Sequence, residues 1–295
     1  MPNRSSPTTL LIVGSVAWDE VIHLTGPLTA GSHNQGRRIE TRIGVGAANT
    51  AMALTAMAPF RAETNPAVEA MVDSAVGPDT EGKRLRNMLH KLSVRIEHID
   101  VQGQQTTRSL VLLEKDGERT VINLARAEVQ LPPNLADMTA DCCYVRSADP
   151  ALTPILAKRV QHSPVLAHIP PITAGSRPAQ VLVGSASDLD KDFLDNPFSA
   201  GKHIAGDVLE WVVVTFGAAG AIAYGDGASF RESAPKVKAK DTTGAGDAFA
   251  AGLAFSLALR EEMPIALKTA VRWGSTSVQY HGTVPPSDLS MLDLA

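Results

Sequence analysis

The stretch from 241 to 252, DTTGAGDAFAAG, combines small residues with carboxylates and leads into an apolar helical pattern. Gly244 and Gly246 leave their backbone N–H groups open to a bound group, because no side chain stands in the way. Phe249, Leu253 and Leu257 recur at helical spacing, which predicts a buried helix that starts at this turn. A helix N-terminus carries unpaired N–H donors and a positive partial charge, so this turn can bind an anion.

Asp247 falls in the first turn of that helix, where the positive end of the helix favours an ionised carboxylate. Such a carboxylate beside an anion site can take a proton from an attacking hydroxyl while the site holds a phosphoryl group. A glycine-rich helix cap with an acidic first-turn residue is an equally good interpretation of the spacing alone.

The order of residues in this stretch resembles the C-terminal signature of the ribokinase-like, or PfkB, family of carbohydrate and nucleoside kinases. The resemblance implies transfer of a phosphoryl group from ATP, with Mg²⁺, to the hydroxyl of a sugar or nucleoside. It also implies that Asp247 is the catalytic base and that Gly244, Ala245 and Gly246 form the anion hole. In potassium-activated members, residues at the positions of Asp241 and Thr243, together with backbone carbonyls near Val278 and Gly282, surround a monovalent cation, so the resemblance permits K⁺ as a further cofactor.

Two segments resemble the family's sugar-binding positions. Asp19 follows the first predicted strand, where the resemblance implies contact with sugar hydroxyls; a turn or strand-end residue is the alternative. GVGAANTA, from 44 to 51, resembles the N-terminal signature Gly-Gly-x-Gly-Ala-Asn-x-Ala and opens a helix predicted over 49–58. This implies that Gly44 and Asn49 bind substrate, although Asn49 could instead cap the helix. Val45 replaces a glycine of the hinge, and a β-branched residue there predicts a stiffer hinge.

Two other segments correspond to the nucleotide and metal positions. The turn that begins at Thr215 resembles the family's Thr-x-Gly-x-x-Gly, which implies that Thr215, Gly217 and Gly220 contact the nucleotide phosphates. After the preceding strand the family usually carries Asn-x-x-Glu, whereas Ser185 and Asp188 stand at that separation here. Asp188 is then the magnesium candidate, because an Asp can hold a magnesium-bound water.

Short apolar runs alternate with helical patterns along the chain, which predicts an α/β fold with a doubly wound, mostly parallel sheet flanked by helices. The resemblance implies one kinase domain over 10–290, with a small β-sheet lid whose strands lie at about 17–43 and 104–124. An Asp-Gly pair at 116–117 predicts a hairpin turn between two of them. Adjacent Cys142 and Cys143 are expected to be a reduced, buried pair on a strand.

Composition restricts the other classes of function. The 295 residues carry a net charge of −4 and contain no long apolar run, so we expect a cytoplasmic protein whose partner is a small molecule rather than nucleic acid or membrane. No G-x-G-x-x-G follows the first predicted strand, which argues against a dehydrogenase-type dinucleotide site. A homodimer through the lid is also expected, because an exposed strand edge invites association.

Two alternatives to a sugar kinase stay open from the sequence. A nucleoside kinase is one, since Trp18 lies next to Asp19 and an aromatic ring can stack on a base. A catalytically weak, kinase-like protein that binds a sugar or nucleotide is the other, because the hinge and magnesium motifs depart from the family pattern.

Overall fold

The computed structural model describes residues 6–60, 67–115, 119–127, 130–169 and 176–286. The Asp-Gly turn predicted at 116–117 lies outside these residues. In the described chain, the strands are β1 (Thr8–Gly14), β2 (Ala17–Leu24), β3 (Gly36–Gly44), β4 (Val68–Val76), β5 (Val94–Arg95), β6 (Ile99–Val101), β7 (Arg108–Leu113), β8 (Arg119–Ala125), β9 (Cys142–Arg146), β10 (Val165–His168), β11 (Val181–Ser185), β12 (Trp211–Thr215), β13 (Ala221–Tyr224) and β14 (Ser229–Glu232). The α-helices are α1 (Gly46–Met57), α2 (Thr80–Lys91), α3 (Leu152–Arg159), α4 (Lys191–Asp195), α5 (Pro197–Ala205), α6 (Ala245–Ala258) and α7 (Met263–Ser277).

The large sheet has the order β14-β13-β12-β11-β10-β9-β1-β4-β5, and β6 pairs with β4 at one end. The strands from β12 to β5 along this order run parallel, whereas β13 and β14 are antiparallel additions at the edge. The chain builds β4 on one side of β1 and later places β9 on its other side. This reversal is that of a doubly wound sheet, so the predicted fold class is confirmed.

Helices cover both faces of this sheet, and the two faces have separate cores. Leu10 and Ile12 of β1 pack in the cluster that contains buried residues of α1, α2, α6 and α7. Leu11 and Val13 of β1 pack in the other cluster, with residues of α3, α4 and α5. This alternation follows from the two-residue period of a strand.

The paired cysteines obey the same alternation. Cys142 lies in the first cluster and Cys143 in the second, and both are buried free thiols. The predicted reduced pair on a strand is therefore confirmed, and the opposite directions of the two side chains explain why neighbouring cysteines do not bond to each other.

A small four-stranded sheet has the order β3-β2-β7-β8. β2 pairs antiparallel with β3 and parallel with β7, and β7 pairs antiparallel with β8. These strands occupy the ranges in which the lid strands were predicted. β3 leads directly through Val45 into α1, so the small sheet is covalently connected to the helix that follows the first signature.

Candidate active site

Asp247, the candidate base, contacts Arg146, which lies at the point where the strand order of the large sheet reverses. Gly14 ends β1, Arg146 ends β9, and the two residues are register partners. In open α/β sheets, ligands bind beyond the carboxyl ends of the strands at this reversal. Gly14 also permits close packing there, since a Cβ on it would lie 2.8 Å from the carbonyl oxygen of Arg146.

Asp247 lies in the first turn of α6 with 8% of its surface exposed. The Nδ2 group of Asn49 donates to its Oδ2 atom at 2.9 Å. The Nε atom of Arg146 lies 3.4 Å from its Oδ1 atom. Two side chains from distant parts of the chain therefore fix the orientation of this carboxylate, and each oxygen keeps a lone pair for another donor.

The turn before Asp247 has the geometry that its glycines predict. Gly244 is the N-cap of α6 with φ 78°, in the left-handed region that glycine adopts without strain. Gly246 is exposed, and a Cβ added to it would meet no atom within 4 Å. The open space at Gly246 leaves the N-terminus of α6 accessible to an anionic group.

The predicted sugar-binding residues lie on the strands and helix around Asp247. Asp19 is on β2, and its carboxylate packs so closely over Gly44 that a Cβ at residue 44 would overlap it. Asn49 lies inside α1, which begins at Gly46, three residues earlier than predicted. Val45 is the N-cap, so the interpretation of Asn49 as a cap is wrong. The Asn49 Oδ1 atom is buried without a hydrogen-bond partner, and it is therefore a free acceptor beside Asp247.

Val45 adopts φ 64° and ψ 156° at the junction of β3 and α1. This backbone region is populated almost exclusively by glycine, and a β-branched residue is strained there. The strain lies where the family signature has a glycine. The prediction that Val45 stiffens the junction is compatible with this strain, and it stays a prediction.

Two residues that the sequence did not point to lie near the candidate base: Arg146 contacts the Asp247 carboxylate, and His168 lies close enough to feel the charge of Arg146. Arg146 packs against Gly46 so closely that a Cβ at residue 46 would overlap its guanidinium. Burial alone would lower the pKa of Arg146, but the Asp247 carboxylate raises it above its ordinary value. Burial, together with the charge of Arg146, lowers the pKa of His168 to about 4, so His168 is neutral at physiological pH. The sequence signal that could have identified both residues is a charged or titratable side chain directly at the end of a buried parallel strand.

The predicted nucleotide residues lie at the same edge of the large sheet. Thr215 ends β12 and is the register partner of Ser185, which ends β11. Gly217 (φ 56°) and Gly220 (φ 95°) follow in a tight turn, and a Cβ on Gly217 would meet no atom within 4 Å. A Cβ on Gly220 would overlap the carbonyl oxygen of Glu232, which explains the glycine there.

Asp188 is exposed just beyond β11, in a short chain of oxygen-bearing side chains. The hydroxyl of Ser187 donates to its Oδ1 atom at 3.2 Å and lies 2.8 Å from the hydroxyl of Ser185. Among the described residues no group of three or more His, Cys, Asp or Glu side chains is placed to hold a metal ion. One carboxylate with neighbouring hydroxyls fits Mg²⁺ in a kinase, where phosphates and waters supply most ligands.

Asp241 and Thr243 lie in the loop that precedes α6, and the Asp241 carboxylate is surrounded by donors. The backbone N–H of Thr243 donates to its Oδ1 atom at 2.8 Å, and that of Gly282 donates to its Oδ2 atom at 2.9 Å. Burial would raise the pKa of Asp241, but these hydrogen bonds and the charge of Arg42 hold it below its ordinary value.

The family model described as "pfkB family carbohydrate kinase" matches residues 8–151 and 153–289 of the chain. The chain belongs to this family. It is therefore a ribokinase-like kinase of a carbohydrate or a similar substrate, and the resemblance seen in the sequence is confirmed. The family match covers nearly the whole range over which the kinase domain was predicted.

Individual relatives agree with this assignment. A ribokinase from Lactococcus lactis subsp. lactis is 26% identical over 294 residues, which span 93% of this chain and 92% of that protein. The structure of ribokinase from Giardia lamblia has a TM-score of 0.77 at 18% identity and covers 96% of this chain and 97% of that chain. A Methanocaldococcus jannaschii nucleoside kinase has a TM-score of 0.73 at 16% identity over 93% of each chain. At such identities these two structures share the fold only, so they do not distinguish sugar from nucleoside.

None of the helices in the described part of the chain has the length and hydropathy that a membrane crossing requires.

Proposed function

We propose that this kinase transfers the γ-phosphoryl group of ATP to a hydroxyl of a sugar, with Asp247 as the base. The observation that carries the proposal is the buried Asp247 carboxylate in the first turn of α6, next to the open turn at Gly246. A base and an anion site placed side by side at a helix N-terminus are what in-line phosphoryl transfer requires.

In the proposed reaction the sugar lies between β2 and α1, with hydroxyls on Asp19, the Gly44 backbone and Asn49. The Asp247 carboxylate takes the proton of the attacking hydroxyl as the hydroxyl oxygen bonds to the γ-phosphorus. The bond from this phosphorus to the bridging oxygen of ATP breaks, and ADP leaves with that electron pair. The amides of residues 244–246 hold the charge that develops on the transferring group. Asn49 and Arg146 keep the Asp247 carboxylate in place through their contacts at 2.9 and 3.4 Å.

Thr215 and the open turn at Gly217 are proposed to bind the phosphates of ATP that stay behind. Mg²⁺, when bound, would neutralise charge on these phosphates, and Asp188 with the hydroxyl of Ser185 would hold its coordinated waters. The small sheet is proposed to act as a lid that excludes water from the sugar.

A specific observation favours a sugar over a nucleoside. Trp18, which from sequence could stack on a base, is only 1% exposed. Its Nε1 group donates to the carbonyl oxygen of Glu81 at 2.9 Å, and the guanidinium of Arg84 lies 4.8 Å from the ring centroid. The ring is therefore part of the core and is not available to a ligand.

We also propose that a second copy of this chain covers the edge of the small sheet, and we expect the dimer to be cytoplasmic. β8 is an edge strand, and its Val121, Ile122 and Leu124 side chains are all exposed. An edge strand with several exposed apolar residues associates readily with another strand. Light scattering on a purified sample tests this, because a monomer at all concentrations contradicts it.

The decisive experiment for the base is Asp247→Asn, which keeps the shape of the side chain and removes its basicity. We expect turnover to fall by roughly 10² to 10⁴ while the protein stays folded. Asp226→Asn is the matched control, because Asp226 is exposed in a turn between β13 and β14 and should retain full turnover. Turnover of Asp247→Asn within about threefold of the unmodified enzyme would remove Asp247 from the role of base.

The substrate is identified by a coupled ADP-release assay with ATP and Mg²⁺. The panel contains ribose, fructose, 2-keto-3-deoxygluconate, hexose phosphates, adenosine and other nucleosides. Turnover on one sugar supports the proposal, whereas turnover on nucleosides alone supports the first alternative. Binding of ATP without turnover on any member supports the second alternative, a catalytically weak binding protein.

A further inference from the structure

Arg42 connects the small sheet to the loop that precedes the proposed anion hole. It lies on β3, and its side chain is only 9% exposed. Its Nη1 atom lies 3.6 Å from Oδ2 of Asp241, and its Nη2 group donates to Oγ1 of Thr243 at 3.4 Å. The two residues that the family resemblance associates with a monovalent cation therefore both contact a guanidinium of the chain itself.

The oxygens that would bind a cation also accept hydrogen bonds from backbone N–H groups. Asp241 accepts from the N–H groups of Thr243 and Gly282, one on each carboxylate oxygen. The carbonyl oxygen of Val278 accepts from the N–H groups of Lys240 at 2.7 Å and Asp241 at 3.3 Å. K⁺ is bound by oxygen dipoles that replace its hydration shell. The carboxylate oxygens keep a further lone pair, but the guanidinium of Arg42 lies 3.6 Å from Oδ2 of Asp241, and its charge repels a second cation there. The expected K⁺ site therefore does not fit this arrangement.

The charge of Arg42 is suited to replace the charge of a bound monovalent cation. The guanidinium is part of the chain, so its presence at the loop does not depend on the ionic composition of the solution. Glu40 also contacts Arg42 at 3.4 Å, but its side chain is 44% exposed and solvated. The less exposed carboxylate beside Arg42 is thus that of Asp241, whose side chain is 17% exposed, and the contact holds the Asp241–Thr243 loop against β3.

We propose that Arg42 supplies from within the chain the positive charge that a monovalent cation would otherwise bring to the Asp241–Thr243 loop, so that this enzyme works without K⁺. The consequence for turnover rests on the proposed kinase function. The consequence for cation binding does not, because it concerns the folded protein alone.

The test compares KCl with choline chloride at constant ionic strength, in two measurements. Thermal unfolding reports cation binding without any substrate, because an ion that binds only the folded protein raises its unfolding temperature. Coupled ADP release reports turnover. For the unmodified enzyme we expect the same unfolding temperature and the same turnover in both salts. A severalfold activation by KCl, or a higher unfolding temperature in KCl than in choline, would overturn the proposal.

The variants are Arg42→Ala and Arg42→Gln, and the second keeps much of the side-chain volume if the first does not fold. In choline we expect turnover to fall at least about tenfold, because the loop before the anion hole loses its anchor. KCl should restore part of that loss and raise the unfolding temperature of the variant. Full turnover of both variants in choline would contradict the role of Arg42.

Arg108→Ala is the matched control. Arg108 lies on the same small sheet and pairs with Glu20 at 2.7 Å, so it tests the general loss of an arginine there. It should show no response to KCl. If no sugar in the panel is phosphorylated, the proposed function fails, while the unfolding temperatures still decide whether Arg42 prevents K⁺ binding.

Discussion

Gly246→Ala should raise the stability of this protein while it lowers its activity. Gly246 is the second residue of α6, it is exposed, and its added Cβ would meet no atom within 4 Å. Alanine in a helix is more favourable than glycine by up to about 1 kcal/mol. For a chain of this length we expect the unfolding temperature to rise by about 2 °C.

The same methyl group should impair phosphoryl transfer. It would stand in the open space next to the amide that we assign to the transferring group, and it would keep the phosphate oxygens from approaching that amide. The loss of one donor in such a hole costs about 10² to 10³ in turnover. Differential scanning fluorimetry and the coupled ADP-release assay on the same preparation measure both effects.

Gly252→Ala is the control on the same helix, and it should behave in the opposite way. Its Cβ would lie 3.1 Å from Cα of Ala270 and 3.1 Å from the indole of Trp273. Overpacking of this kind costs about 1 to 3 kcal/mol of stability, and the folded fraction should keep its turnover. A Gly246→Ala variant with turnover within about threefold of the unmodified enzyme would refute the placement of the anion hole at this helix N-terminus.

Two further predictions concern strain and buried charge. Val45→Gly should raise the free energy of unfolding by about 1 kcal/mol in urea titrations, because the strain relieved at φ 64° outweighs the entropic cost of ordering a glycine. A lower free energy of unfolding would contradict this. Burial and the nearby Asp100 raise the pKa of Asp73 from 3.8 to about 7. Between these values the native state keeps a proton that the unfolded state has lost, so stability falls as pH rises. The unfolding temperature of Asp73→Asn relative to that of the unmodified protein should therefore increase steadily from pH 4 to pH 7. A difference that stays constant over this range would contradict the argument.

Much of the fold and of the proposed catalytic turn could be predicted because the relevant signals are local. The alternation of apolar runs and helical patterns predicted the doubly wound sheet. The glycines at the start of α6 and the Asp247 of its first turn lie within four residues of each other, so spacing alone located them. The boundary of α1 was misplaced because Val45 takes a conformation typical of glycine, and nothing in its residue type indicates that.

The sequence by itself therefore determined the type of fold, the helix N-terminus that can bind an anion, and the carboxylate beside it. Only the tertiary structure decided which side chains meet at that carboxylate and at the loop before it. From the sequence alone, Arg146 and Arg42 could not be distinguished from other arginines. Trp18 could equally have faced a ligand. Their roles depend on strand order, on register and on which face of a sheet is covered, and these are properties of segments far apart in the chain. The same arginine side chain can be solvated in one fold and packed against a carboxylate in another, so its residue type does not indicate which environment it has.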